Sequence, residues 1–115
     1  MSKMDPQIKE TWIAALESGD YPQGRVDLQN WAGEFCCLGV LCELYDKAHP
    51  NAPLRDAAGY GDKLHSLPNK VRAWSGIVHP VGDFVRSDGT RTSLATLNDQ
   101  GTEFPDIANV IREYF

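Results

Sequence analysis

The residues best suited to bind a small polar ligand lie in the second half of the chain. They comprise two aromatic side chains, three arginines, an asparagine and an aspartate: Trp74, Phe84, Arg86, Arg91, Asn98, Asp99 and Arg112. An aromatic ring can stack on a nucleobase, an arginine fork can bind phosphate, and an amide can recognise a base edge or a ribose. The set predicts a nucleotide pocket, although any small domain can carry the same residue types as ordinary core and surface.

The spacing relates some of these residues to one another. Phe84 and Arg86 share one face of a predicted strand, because side chains alternate along a strand with a period of two. Asn98 and Asp99 stand together at the end of a predicted short helix. Every cation after Lys70 is an arginine, and the planar guanidinium suits phosphate or carboxylate better than the point charge of lysine does.

No catalytic or metal-binding motif accompanies this set. The chain contains no GxGxxG, GxxxxGK[ST], GxSxG or HExxH pattern. His49, His65 and His79 lie in or beside predicted loops, each near a proline, and are expected to be ordinary exposed histidines. The motifs therefore predict no metal and no cofactor, and they leave an enzymatic activity possible but unsupported.

Three cysteines lie on or beside one predicted helix. At 100° per residue, Cys37 is about 100° and Cys42 about 240° from Cys36 around the helix axis, so the thiols cannot meet on one metal ion. Small buried hydrophobic side chains are the expected role. The chemical alternative is a nucleophilic Cys36 in the first helical turn, where a thiol pKa is lowered; it would need a histidine close by in the fold.

The length and composition predict a single acidic globular domain over residues 1–115. Apolar residues make up 42% and charged residues 23%, and the formal net charge is −5. A negative chain is poorly suited to long nucleic acids, because neutralisation of phosphates dominates that affinity. The first residues lack the apolar segment of a secretory signal, and no run approaches the ~18 apolar residues of a membrane span. An odd number of cysteines, two of them adjacent, favours a reducing cytoplasm over a disulfide framework.

Helical periodicity and capping signals predict several helices and one β-hairpin. The predicted helices cover 6–18, 34–47 and 68–75, a short segment capped by Ser93 and ended by Gly101, and a last segment beginning near Phe104. The hairpin covers 83–92, with its turn at 87–90. Residues 21–33 and 48–66 are predicted loops, the first with a short extended piece at 25–28. This order predicts a small α+β domain.

The segment 34–47 is predicted to be the central, buried helix. Its first half is apolar on nearly all sides, which is typical of a helix surrounded by other elements. Gly39 in its interior costs about 1 kcal/mol of helix propensity relative to alanine, so another element is expected to pack closely there. Trp12 lies in the apolar stripe of the first helix and is expected in the core.

Four segments of the chain resemble a family of small phage and prophage proteins. They are 12–21, 35–45, 67–76 and 93–111. The most distinctive segment begins with Phe-Cys-Cys-Leu-Gly-Val at Phe35. The last segment is moderately distinctive, with Leu-Asn-Asp at Leu97 followed by Ile-Ala at Ile107. These segments are spread over most of the length of the chain, from Trp12 to Ile111.

The most specific resemblance is to the phage Thoeris anti-defence protein 1 group. These proteins bind the cyclic ADP-ribose isomers made by the bacterial Thoeris system and sequester them without cleavage. The resemblance implies a homo-oligomer, at least a dimer, with ligand pockets at subunit interfaces and binding residues in the C-terminal half. It also implies an anti-defence role in the cytoplasm of the infected bacterial host.

Two other functions fit a small phage protein with these residues. One is direct binding and inhibition of a host protein, which predicts an exposed apolar patch. The other is hydrolysis of a nucleotide, which predicts dependence on Cys36 or His79. Recovery of the nucleotide intact would separate sequestration from hydrolysis.

Overall fold

The computed structural model describes residues 4–30, 32–54 and 66–115. Within these residues the chain forms five helices and one two-stranded antiparallel sheet. In chain order they are α1 (Pro6–Glu17), α2 (Cys37–Ala48), α3 (Asn69–Ser75), β1 (Asp83–Val85), β2 (Arg91–Ser93), α4 (Leu94–Asp99) and α5 (Phe104–Tyr114). The predicted α+β class is therefore confirmed.

Helix α2 is the centre of the core, as its sequence predicts. Every residue from Cys37 to Cys42 is buried. The helix begins three residues later than predicted, because Phe35 and Cys36 are held in extended conformation. Phe35 donates its N–H to the Pro22 carbonyl at 2.8 Å, and the Cys36 thiol caps the helix by accepting the Gly39 N–H at 3.4 Å.

The close approach predicted at Gly39 is present. A Cβ on this residue would lie 1.7 Å from the carbonyl oxygen of Leu28. The extended piece predicted at 25–28 is wrong: these residues form bends, and Val26 has a φ of 70°. The bend turns the Leu28 carbonyl onto α2, while the Val26 N–H donates to Asp99 Oδ1 at 2.8 Å.

Helices α1 and α5 pack along each other, and α1 also packs against α2. Asp5 caps α1 by accepting the N–H groups of Gln7 and Ile8 at 2.9 and 3.1 Å. Trp12 is fully buried, as predicted, and its indole N–H donates to the Cys37 carbonyl at 3.0 Å. This bond fixes α1 on the first turn of α2.

The predicted hairpin is present, with its turn one residue earlier than expected. The Gly89 N–H donates to the Arg86 carbonyl at 2.9 Å, and the Arg86 N–H donates to the Thr90 carbonyl at 2.7 Å. Gly89 has a φ of 87°, which suits the left-handed position of a three-residue hairpin loop. Ser93 then caps α4 by accepting the Thr96 N–H at 3.1 Å, as predicted.

The predicted loop 48–66 is described only in part. Residues 49–54 are irregular, as expected, and residues 55–65, including His65, lie outside the described residues. His79 is exposed, as predicted, but the expectation for His49 is wrong. Its half-buried ring stacks on Tyr45 with centroids 4.0 Å apart, and its Nδ1 lies 2.8 Å from the Tyr45 carbonyl oxygen. Across the described ranges, no helix has the length and apolar character needed to cross a membrane.

Candidate functional site

An aromatic cavity lies between the β-hairpin and the end of α5. The ring of Phe84 on β1 lies 4.9 Å from the ring of Tyr114 and 5.7 Å from that of Phe115, centroid to centroid. All three side chains are half-buried. The cavity has a volume of about 430 Å³, and its other walls are Met4, Gly76, Ile77, Val78, His79, Asp83 and Val85. We call it the hairpin cavity.

Tyr114 holds the hairpin against α5. Its hydroxyl accepts the Ser87 N–H at 3.0 Å and pairs with the Ser87 hydroxyl at 2.8 Å. The turn of the hairpin is thereby attached to the last turn of the helix, and Phe84 is held beside the Tyr114 ring. The sequence predicts Phe115 on the apolar face of the last helix but does not indicate Tyr114 as a site residue, because nothing in a sequence relates an aromatic residue at a helix end to a distant hairpin.

Two of the arginines predicted for the site belong to the same hairpin. Arg86 is exposed at the start of the turn, and Arg91 is exposed on β2. The Arg91 guanidinium lies 3.9 Å from the carboxylate of Asp83, which lines the hairpin cavity. Such an exposed, long ion pair is weak. The hairpin carries Phe84, Arg86 and Arg91, but neither arginine lines the cavity. The pairing of Arg91 with Val85 places the Arg91 side chain on the face of the hairpin opposite Phe84.

Asn98 lies elsewhere, at the junction of α4, α2 and the first loop. It is fully buried, and its Oδ1 accepts the Cys37 N–H at 3.2 Å and the Gln23 amide at 3.0 Å. Its Nδ2 donates to the Gly24 carbonyl at 2.8 Å. The side-chain amide is occupied by the fold, so it does not face the hairpin cavity.

Asp99 and Arg112 also make contacts within the fold. Asp99 is exposed and accepts the Val26 N–H. Arg112 on α5 donates to both carboxylate oxygens of Glu17 on α1, at 2.8 and 2.6 Å, and to Asn109 at 2.7 Å. Hydrogen bonding to Arg112 is the main cause that lowers the pKa of Glu17. This fork joins α1 to α5 and lies outside the lining of the hairpin cavity.

Trp74 lines a second cavity. This cavity has a volume of about 420 Å³ and lies among α1, α2 and α3, with Ile8, Leu44 and Lys47 also in its walls. Trp74 is half-buried and packs edge-on against Tyr45, with ring centroids 5.4 Å apart. The two aromatic residues predicted to share one pocket therefore stand in different cavities.

The three thiols are buried and protonated at neutral pH. Burial is the largest cause in each case: it raises the pKa of Cys36 to about 11 and raises those of Cys37 and Cys42 well above the usual range of a thiol. Their predicted role as small buried hydrophobic side chains is confirmed. In the described ranges no three His, Cys, Asp or Glu side chains are grouped to hold a metal ion. A buried neutral thiol is a poor nucleophile, so the structure does not favour Cys36 as a hydrolytic group.

We expect the folded protein to resist thiol modification. With a pKa of about 11, Cys36 at pH 8 has a thiolate fraction about 100-fold below that of an ordinary thiol near 9. Iodoacetamide labelling followed by mass spectrometry should therefore give almost no adduct on native protein and three adducts in urea. Rapid labelling of Cys36 in the native protein would contradict the raised pKa and support a nucleophilic role for this thiol.

One family model matches the chain. It is described as Domain of unknown function (DUF8296) and matches residues 4–115, so the chain belongs to this family. No curated protein and no solved structure matches. Because the family description assigns no activity, function is inferred from the geometry of the hairpin cavity and from the resemblance noted in the sequence.

Proposed function

We propose that this DUF8296 protein binds a cyclic ADP-ribose isomer in the hairpin cavity and sequesters it without cleavage. The observation that carries the proposal is the aromatic wall of Phe84, Tyr114 and Phe115, on a hairpin that also carries Arg86 and Arg91. The resemblance to the Thoeris anti-defence protein 1 group supports the same ligand class. The proposed setting is the cytoplasm of an infected bacterium, where the protein acts as a phage anti-defence protein.

The parts of the ligand match the parts of the site. The purine stacks on the ring of Phe84 or Tyr114, a contact worth about 1–3 kcal/mol per base. Arg86 is exposed at the start of the hairpin turn, where charge-assisted hydrogen bonds to a pyrophosphate can form. A volume of about 430 Å³ falls within the usual range of small-molecule sites. Sequestration needs affinity alone and calls for no catalytic group.

The proposal includes a homo-oligomer, at least a dimer, with the hairpin cavity covered by a second copy. Val78 and Val85, at 51% and 49% exposure, are large apolar residues at the cavity wall. Covering them would bury apolar surface and exclude water, which strengthens the bonds between arginine and phosphate. The same valines would also serve a host-protein inhibitor, so a protein that light scattering shows to be a monomer and that binds no nucleotide would favour that second function.

Phe84→Ala is expected to weaken binding by more than tenfold, about 1.4 kcal/mol or more. Phe84 supplies a ring of the cavity but lies outside α2, so the fold should survive its loss. Calorimetric titration with 1″–3′ and 1″–2′ cyclic ADP-ribose measures the change, and chromatography of the released ligand shows whether it is intact.

The matched control is Trp74→Leu, which removes an aromatic ring from the other cavity. It should leave the affinity unchanged. Equal losses of affinity in both variants would contradict the proposed site. So would the absence of binding heat and of a thermal shift when the unaltered protein is mixed with micromolar ligand. Time-dependent loss of ligand would show a hydrolase instead.

A further inference from the structure

The hairpin cavity runs along an unpaired strand edge. Asp83, Phe84 and Val85 all line it, although successive side chains of a strand point to opposite faces. Three consecutive residues border one cavity when it follows the edge of their strand. The other edge of β1 is paired with β2, and within the described residues this sheet has no third strand. The cavity therefore borders the outer edge of β1.

Four backbone groups on this outer edge are unpaired. The register places Phe84 opposite Thr92, in a pair that exchanges hydrogen bonds because the pairs two residues away on either side are also bonded. Asp83 and Val85 therefore direct their N–H and C=O groups away from β2. In the described part of the chain no group bonds to these four. Such a row of free donors and acceptors is a template for another strand.

We infer that a second copy of this chain pairs its β1 with this edge in antiparallel orientation, so that two hairpins form one four-stranded sheet. A two-fold axis at Phe84 places Asp83 of each copy opposite Val85 of the other. Both pairs exchange two hydrogen bonds, which satisfies all four free groups of each copy. The inference rests on the proposed function for the presence of a second copy and identifies the element through which the copies meet.

The edge is complementary to itself in charge as well as in hydrogen bonding. In this register each Asp83 faces a valine and not a second carboxylate, so no like charges stand opposite each other. The second strand also covers Val85, which is 49% exposed, and extends over the cavity toward Val78, which is 51% exposed. A two-stranded hairpin is marginally stable by itself, and a four-stranded sheet removes that weakness.

The register also brings the two Phe84 side chains to directly opposite positions. Opposite residues of an antiparallel pair lie on the same face, and aromatic pairs there stabilise a sheet. Phe84 already lies beside the rings of Tyr114 and Phe115. The aromatic wall of each hairpin cavity thus includes a ring from the second copy, and the ligand site is complete only in the dimer.

Disulfide formation tests the register. Cysteines at position 84 of the two copies would have Cα atoms about 4.5 Å apart, which a disulfide spans. Cysteines at position 85 would stand diagonally, roughly 7–8 Å apart, which is too far. The native thiols are buried, so Phe84→Cys and Val85→Cys can be oxidised with diamide and compared on non-reducing gels. We expect a covalent dimer from Phe84→Cys and at most about a tenth as much from Val85→Cys.

A pair of opposite charge changes at one position provides a second measurement that leaves the aromatic wall intact. In the inferred register, Val85→Glu places a carboxylate opposite Asp83 of the second copy, whereas Val85→Lys places an ammonium there. Sedimentation equilibrium should show a dimer dissociation constant raised about tenfold in Val85→Glu and changed by less than about threefold in Val85→Lys. Circular dichroism confirms that each variant is folded.

The outcomes separate the inference from the proposed function. Stronger cross-linking at position 85 than at 84, equal dissociation constants in the two charge variants, or a monomer at all concentrations overturns the inference. If such a protein still binds cyclic ADP-ribose in calorimetry, the proposed ligand stands. Cross-linking at position 84 together with the expected charge effect supports the inference, and in a protein that binds no cyclic ADP-ribose it does so while overturning the proposed ligand.

Discussion

Gly39→Ala is expected to lower the free energy of unfolding strongly. A Cβ at this position would lie 1.7 Å from the carbonyl oxygen of Leu28 and 2.5 Å from its carbonyl carbon. Both are backbone atoms, so no side-chain rotation relieves the overlap, and either α2 or the loop must move. We expect a loss of at least about 4 kcal/mol, which is large against the roughly 5–15 kcal/mol typical of a domain.

Urea denaturation followed by circular dichroism measures this loss, and Gly19→Ala is the matched control. Gly19 has a φ of 77°, but a Cβ there would meet nothing within 4 Å, so alanine should cost only about 1–2 kcal/mol of backbone strain. In a helix without close neighbours, alanine is favoured over glycine by about 1 kcal/mol. A Gly39→Ala protein as stable as the unaltered one would therefore refute the close approach of Leu28.

Asn98→Ala is expected to be the other strongly destabilising change. The substitution deprives three groups of their bonds to this side chain: the Cys37 N–H, the Gly24 carbonyl and the Gln23 amide. The site is fully buried, and each unsatisfied buried group costs about 1–3 kcal/mol, so we expect a loss of roughly 3–5 kcal/mol. Asn109→Ala, at an exposed position on α5, should stay within about 0.5 kcal/mol of the unaltered protein.

The variant Asn98→Asp keeps the side-chain volume and changes only the hydrogen bonding, so it separates the two contributions to stability. A carboxyl buried at position 98 would have its pKa raised above the unfolded value, because desolvation disfavours the charged form. Protonated, it can still donate to the Gly24 carbonyl; ionised, it cannot. The stability deficit relative to the unaltered protein should therefore be smaller near pH ~4 and grow as pH rises. A deficit that is constant with pH would mean that the site is open to water.

Much of the fold follows from local patterns in the sequence. The apolar run around Gly39 predicts a buried central helix with a close neighbour, and the Asp88-Gly89 pair predicts the hairpin. Caps such as Ser93 locate helix starts because one side chain and one nearby N–H decide them. The predicted start of α2 is wrong because pairing of Phe35 with the distant Pro22 overrides the local helical signal.

The candidate site is harder to predict because it depends on long-range pairing. Trp74 and Phe84 are close in sequence yet line different cavities. Asn98 looks like a ligand-reading amide, but its partners Gln23 and Gly24 lie 75 and 74 residues away. No local pattern distinguishes an amide that binds a ligand from one that satisfies buried backbone groups. Tyr114 is not predicted as a site residue either, because its contact with the hairpin is also long-range.

The pairing of α1 with α5 has a consequence for how the chain reaches its native state. Lys9 and Glu17 bond to Arg112 across sequence separations of 103 and 95 residues. Contacts between such distant segments slow folding, because the intervening chain must lose its freedom before they form. During synthesis α1 can meet α2 early, but the side of α1 that packs on α5 has no partner until α5 has emerged from the ribosome. Part of the apolar surface of α1 is therefore open to chaperones until then.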